Sequence, residues 1–153
     1  MKIFNINLTK LGFILVIAIA FIACSKDKKV AGQLDGTWAI QKITIGTKVY
    51  TDSLATMILS ECEDNSTCDG TWKDFTGKSH EMLWWEVEND GKEFYWSVLE
   101  ADDHPQDIHP NNISGIYTIE EISDSKFIIK SCDSGCESKG TPLEKNVTIE
   151  MTK

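Results

Sequence analysis

His80-Glu-Met-Leu-Trp-Trp-Glu-Val-Glu88, Asn89-Asp-Gly-Lys92 and Glu93-Phe-Tyr-Trp-Ser-Val-Leu99 together decide the fold. Two runs rich in aromatic and branched residues flank Asp90-Gly91, a strong short-range signal for a β-hairpin. Side chains alternate across a strand. Leu83, Trp85 and Val87 therefore share one face, with Met82 and Trp84 on the other. In the partner run Phe94, Trp96 and Val98 oppose Tyr95 and Leu99. A period of two cannot bury both Trp84 and Trp85, so one of them is expected to face solvent, a loop or a partner. Glu86 and Glu88 read as the wet face of the same strand, and His80, at its start, as ordinary surface.

Working outward, similar short runs recur on both sides. They are Gly36–Ile45, Leu54–Ser60, Thr71–Phe75, Gly115–Ile122, Lys126–Ser131 and Asn146–Met151. Gly, Asn, Asp and Ser separate them, as in the Ser123-Asp-Ser125 turn, and no convincing amphipathic helix interrupts them. The expected fold is all-β: eight strands in an antiparallel up-and-down barrel, because closure removes sticky edges. The net charge of −9 and the absence of arginine argue against nucleic acid as a partner, since phosphate contacts need clustered cations.

The start of the chain reads differently. Lys2 and Lys10 precede Leu11–Ala23, an unbroken apolar stretch of 13 residues. A spanning helix needs about 20; a positive segment before a shorter apolar one suits a signal peptide. Phe21-Ile-Ala-Cys24 resembles a bacterial lipobox, in which the cysteine is lipidated and the preceding peptide removed. The expected layout is a signal peptide over 1–23, lipidated Cys24 and a polar tether over 24–33, and a barrel domain over 34–153. The residue after Cys24 is serine rather than aspartate, which leans towards the outer membrane of a bacterial envelope.

Leu34-Asp-Gly-Thr-Trp38 resembles the Gly-x-Trp opening of lipocalins and of the shorter Bacteroidetes-type lipocalin-like lipoproteins. Gly115-Ile-Tyr-Thr-Ile119 followed by Lys126-Phe-Ile-Ile129 is similar to a later pattern of the bacterial branch. The resemblance implies that Gly36 and Trp38 open the first strand, with the indole plugging the closed end of a barrel. Classical members pack an arginine on that indole; here only Lys145 or Lys153 is available, without planar stacking.

Apart from Cys24, four cysteines remain, which suits disulfides in an exported chain. Local pairing is favoured, Cys62 with Cys68 and Cys132 with Cys136; a four-cysteine zinc site fits the spacing less well, and no C-x-x-C redox motif occurs. Asp102–His109 is the densest polar cluster, and His104 and His109 are its weak metal candidates, set against a solvated loop containing Pro105. No Gly-x-Ser-x-Gly elbow and no phosphate-binding glycine loop is present, so neither catalysis nor a cofactor is expected. Trp72, Trp84, Trp85, Phe94 and Trp96 crowd the central strands. They read as filling for a small barrel or as the lining of a ligand site. The expected function is a membrane-anchored, non-catalytic protein binding a small apolar or amphipathic ligand or a glycan. The alternative is an interaction module docking an envelope protein through exposed aromatics.

Overall fold

The computed structural model describes residues 26–51, 55–60, 62, 68–74, 77–98, 110–132, 140–142 and 144–153, without the side chains of 81–83, 110 and 111. A short helix over 26–34 (α1) leads into β1 (Gly36–Ile45), β2 (Lys48–Tyr50), β3 (Thr56–Leu59), β4 (Cys68–Lys73), β5 (Ser79–Glu88) and β6 (Glu93–Val98). One helical turn (α2, Pro110–Ile113) follows, then β7 (Gly115–Ile122), β8 (Lys126–Ser131) and β9 (Val147–Thr152).

All neighbouring strands are antiparallel in the order β2-β1-β3-β4-β5-β6-β7-β8-β9, and β1 also pairs with β9. The result is the expected eight-stranded up-and-down barrel. The ninth strand, β2, is an addition the sequence reading lacks. On one side of β1, Gly36–Ala39 pair with β3 and Ile43–Ile45 pair with β2, so β2 takes up the bonds that β3 leaves. Its three residues are too few to show a period.

The interior follows from alternation, corrected at bulges. Trp38 and Ile40 point inward, and so does Ile43, because the register with β9 shifts between Ile40 and Lys42. Val147, Ile149 and Met151 of β9 and Phe127 and Ile129 of β8 complete that wall, each buried. Phe94, Trp96 and Val98 are buried on β6, as alternation requires. Rings touch in series through the core. Trp38 packs on Phe127 at 5.5 Å, Phe127 meets Phe94 edge-on at 5.3 Å, and Phe94 tilts against Trp85 at 6.0 Å. Such contacts add directional attraction to apolar burial.

The β5–β6 hairpin forms where Asp90-Gly91 forecasts it. Asn89, Asp90 and Gly91 all adopt positive φ, at 54°, 60° and 75°. Gly91 is required twice over, since an added Cβ would also stand 2.7 Å from Val30 Cγ2 of α1.

Residues 26–33, within the stretch expected as a polar tether, form a docked helix. Asp27, Val30, Ala31 and Leu34 recur at helical spacing on the face turned to the barrel. Val30 and Ala31 pack on the core and Leu34 is fully buried. Asp27 Oδ1 accepts the Gly91 N–H at 2.5 Å, and Leu34 O accepts Trp38 Nε1–H at 2.6 Å. The polar composition hides a short apolar stripe of three side chains. α1 thus closes the barrel end where β1 begins, the α1 end; the 74–78 turn and α2 lie at the other, the α2 end.

Candidate functional site

The site is built from the inward residues of β4, β5 and β6 near the α2 end. On β4 the buried set is Cys68, Gly70 and Trp72, and the next residue in that phase is Asp74. Asp74 organises the β4–β5 turn. Its N–H donates to Lys78 O at 2.9 Å, its carbonyl accepts the Gly77 N–H at 2.9 Å, and Oδ1 accepts the Lys78 N–H at 3.0 Å. Its second carboxylate oxygen lies 3.0 Å from His80 Nε2. The two side chains are only 7% and 5% exposed. His80 is therefore a buried, paired residue, which corrects its reading as surface. Pairing of Trp72 opposite His80 in the sheet fixes the imidazole on the inner face.

Trp72 in turn stacks on Trp96 of β6, with centroids 5.2 Å apart and planes 7° from parallel. Trp38 and Trp85 both satisfy their indole donors, Trp85 by bonding Asp69 O at 2.7 Å. Trp96 Nε1 is buried and has no hydrogen-bond partner. A buried donor left unsatisfied costs about 1–3 kcal/mol; among the described residues Trp96 Nε1 is the buried side-chain donor without a hydrogen-bond partner, beside two carboxylate oxygens, Glu88 Oε2 and Glu93 Oε2, that also lack one.

Accessibility changes along the barrel. Trp38, Trp85, Phe94, Trp96 and Phe127 are at 0% and Trp72 is at 3%, whereas Ala55, Asp74, His80 and Val98 retain 7–9%. These four belong to adjacent elements at the α2 end and outline its rim. Above the rim, α2 inserts Ile113 into the core, and the Tyr117 hydroxyl donates to the Ile113 carbonyl. Burial pushes the Tyr117 phenol well above its ordinary range and keeps it neutral. A cleft of about 380 Å³ opens beside the α2 end, against Ser131, Cys132, Pro142 and Lys145.

Of the five aromatic candidates, Trp72, Trp85, Phe94 and Trp96 meet inside the barrel. Trp84 does not: it lies half-buried on the outer face and stacks on Tyr95 at 5.8 Å. The structure thus assigns the pair that alternation left open, Trp85 inward and Trp84 outward. Glu86, expected as wet, is buried, because its cross-strand neighbour is Tyr95 and aromatic rings flank it. The faces expected for Met82 and Leu83 concern side chains outside the described residues. Neither His104 nor His109 falls within the described residues, and no metal-holding cluster occurs among those that do.

Cys62 and Cys68 form the disulfide expected of them, with Cα atoms 4.6 Å apart. Cys132 is disulfide-bonded too, while Cys136 and Cys24 lie outside the described residues. At the α1 end Gly36 and Trp38 stand together with Lys153. The Lys153 ammonium lies over the Trp38 ring, and a Cβ on Gly36 would come within 3.2 Å of Lys153 Cε. Lys145 lies beside the α2-end cleft, away from Trp38.

Sequence reasoning missed Asp74 altogether. Two signals were available: it follows Trp72 by two residues, hence the same face, and it precedes Gly77 in a turn-like segment. The chain matches no protein-family model, and neither a curated protein nor a solved structure is similar to it.

Proposed function

We propose that this chain is a non-catalytic, lipocalin-like binding protein of the bacterial envelope, lipid-anchored through Cys24 at the outer membrane, and that it takes a small amphipathic ligand or glycan at the α2 end of its barrel. The observation that carries the reading is the unpartnered Trp96 N–H behind its stack with Trp72. An aromatic platform with one unused donor suits a flat or ring-shaped guest bearing an acceptor. The buried Asp74–His80 pair beside it supplies fixed polarity at the rim. The sealed α1 end confines entry to the α2 end.

Native and denaturing mass spectrometry of the full chain, purified in detergent, tests this. A native mass exceeding the denatured one, with the excess lost in Trp96→Phe, is the expected result. Equal masses, with no tryptophan fluorescence response to any amphipathic or sugar probe, would overturn it. A second reading has its own observation, the outward Trp84–Tyr95 stack. On that reading the outer face of β5 and β6 docks an envelope protein, and cross-links from a Trp84-proximal probe to one defined partner would favour it.

A further inference from the structure

The charge on α1 is sorted by face. Asp27, its one described acid, is turned to the barrel and engaged with the Gly91 N–H. Lys29 and Gly32 are exposed on the opposite side, and Lys26 and Lys28 are exposed on its two flanks. Lys26 stands 3.9 Å from Asp90, and Lys28 and Lys29 have no ion-pair partner among the described residues. The outward face of α1 is therefore purely cationic on a chain of net charge −9. Lys92 is exposed at the same end, and so are Asp35, Asp90 and Asp124, so the unbalanced positive charge is confined to α1 itself. A local cationic face on an acidic protein is a preorganised site for an anionic surface.

We infer that the outward lysine face of α1 lies on an anionic lipid surface and fixes the barrel with its α1 end towards the bilayer and its α2 end pointing away. This rests on the anchoring half of the reading above. Cys24 is two residues before Lys26, so the two lie no more than about 7 Å apart along the chain. A flexible tether would let the barrel tumble. A helix bonded to Gly91 and buried at Leu34 passes the anchor's position directly to the barrel. The same geometry presents the Trp72–Trp96 end to the aqueous phase.

The full chain is reconstituted into vesicles of phosphatidylcholine alone, and of phosphatidylcholine mixed with phosphatidylglycerol. Each lysine's acylation by a water-soluble amine reagent is then followed by mass spectrometry. In the anionic vesicles Lys28, Lys29 and Lys92 are expected to react about fivefold more slowly than in detergent. Lys48 and Lys145, at the α2 end, keep their detergent rates. Molar salt should abolish the difference. A K28E/K29E variant should still float with the vesicles but regain full reactivity at Lys92. Equal rates for Lys28, Lys29 and Lys48 in a chain that floats would overturn the orientation and leave the anchoring intact. A chain that floats with neither vesicle overturns both.

Discussion

Lys153 Nζ lies 4.9 Å from the centroid of the Trp38 ring and donates a hydrogen bond to Gln33 O at 3.0 Å. Lys153, just after β9, thus ties the first strand and the end of α1 together. Cation–π contacts at exposed sites are worth about 0.5–1 kcal/mol. Lys153→Ala should lower stability by about 1 kcal/mol, read as a reduced urea midpoint at unchanged slope. Lys153→Arg, which can lie flat on the indole, should restore it.

Gly91→Ala meets both a positive φ and the Val30 methyl. The expected loss is about 1–2 kcal/mol. Hydrogen exchange should show it first in the amides of 26–34, ahead of the strands. Combining it with Val30→Ala should relieve the steric part and leave the backbone part.

Asp74 and His80 are buried together, so removing either takes a buried polar contact from the other. Asp74→Ala should cost about 3 kcal/mol, because the turn also loses its acceptor for Lys78 N–H. Asp74→Asn, which keeps that acceptor, should cost less. Chemical denaturation of the variants decides the order; equal losses would mean that the carboxylate charge contributes little.

Tyr117 predicts alkaline sensitivity. Its phenol titrates higher in the fold than in the unfolded chain, so above about pH 10 the unfolded state releases the proton first. Stability should then fall by about 1.4 kcal/mol per pH unit until the folded group also ionises. Tyr117→Phe loses the bond to Ile113 at neutral pH but should flatten that alkaline slope, as thermal melts across the range would show.

The barrel was legible because its strands alternate cleanly. Val147, Ile149 and Met151 are buried as read, and so are Phe94, Trp96 and Val98. Bulges were not legible: nothing in Ile40-Gln41-Lys42 announces the shift that turns Ile43 inward. α1 was missed because its barrel-facing stripe is interrupted by lysines that composition alone reads as linker. The site was half legible. Aromatic content pointed to Trp72 and Trp96, while pairing a carboxylate with His80 requires the turn geometry that brings residues six apart to 3.0 Å. Trp96's orphan donor had no sequence signal, since every indole carries the same N–H.

The seam between β1 and β9 also bears on how the molecule is made. Lys42 and Glu150, which meet across it through a 2.5 Å ion pair, are 108 positions apart. Closing so distant a pair carries a large loop entropy, and topologies dominated by such pairs fold slowly. Until the six-residue β9 has emerged from the ribosome, β1 and β8 each keep a raw edge and the cylinder cannot shut. A nascent chain of this kind stays open until β9 is available, so closure of the cylinder comes late, when the two partners of β9 are already in place.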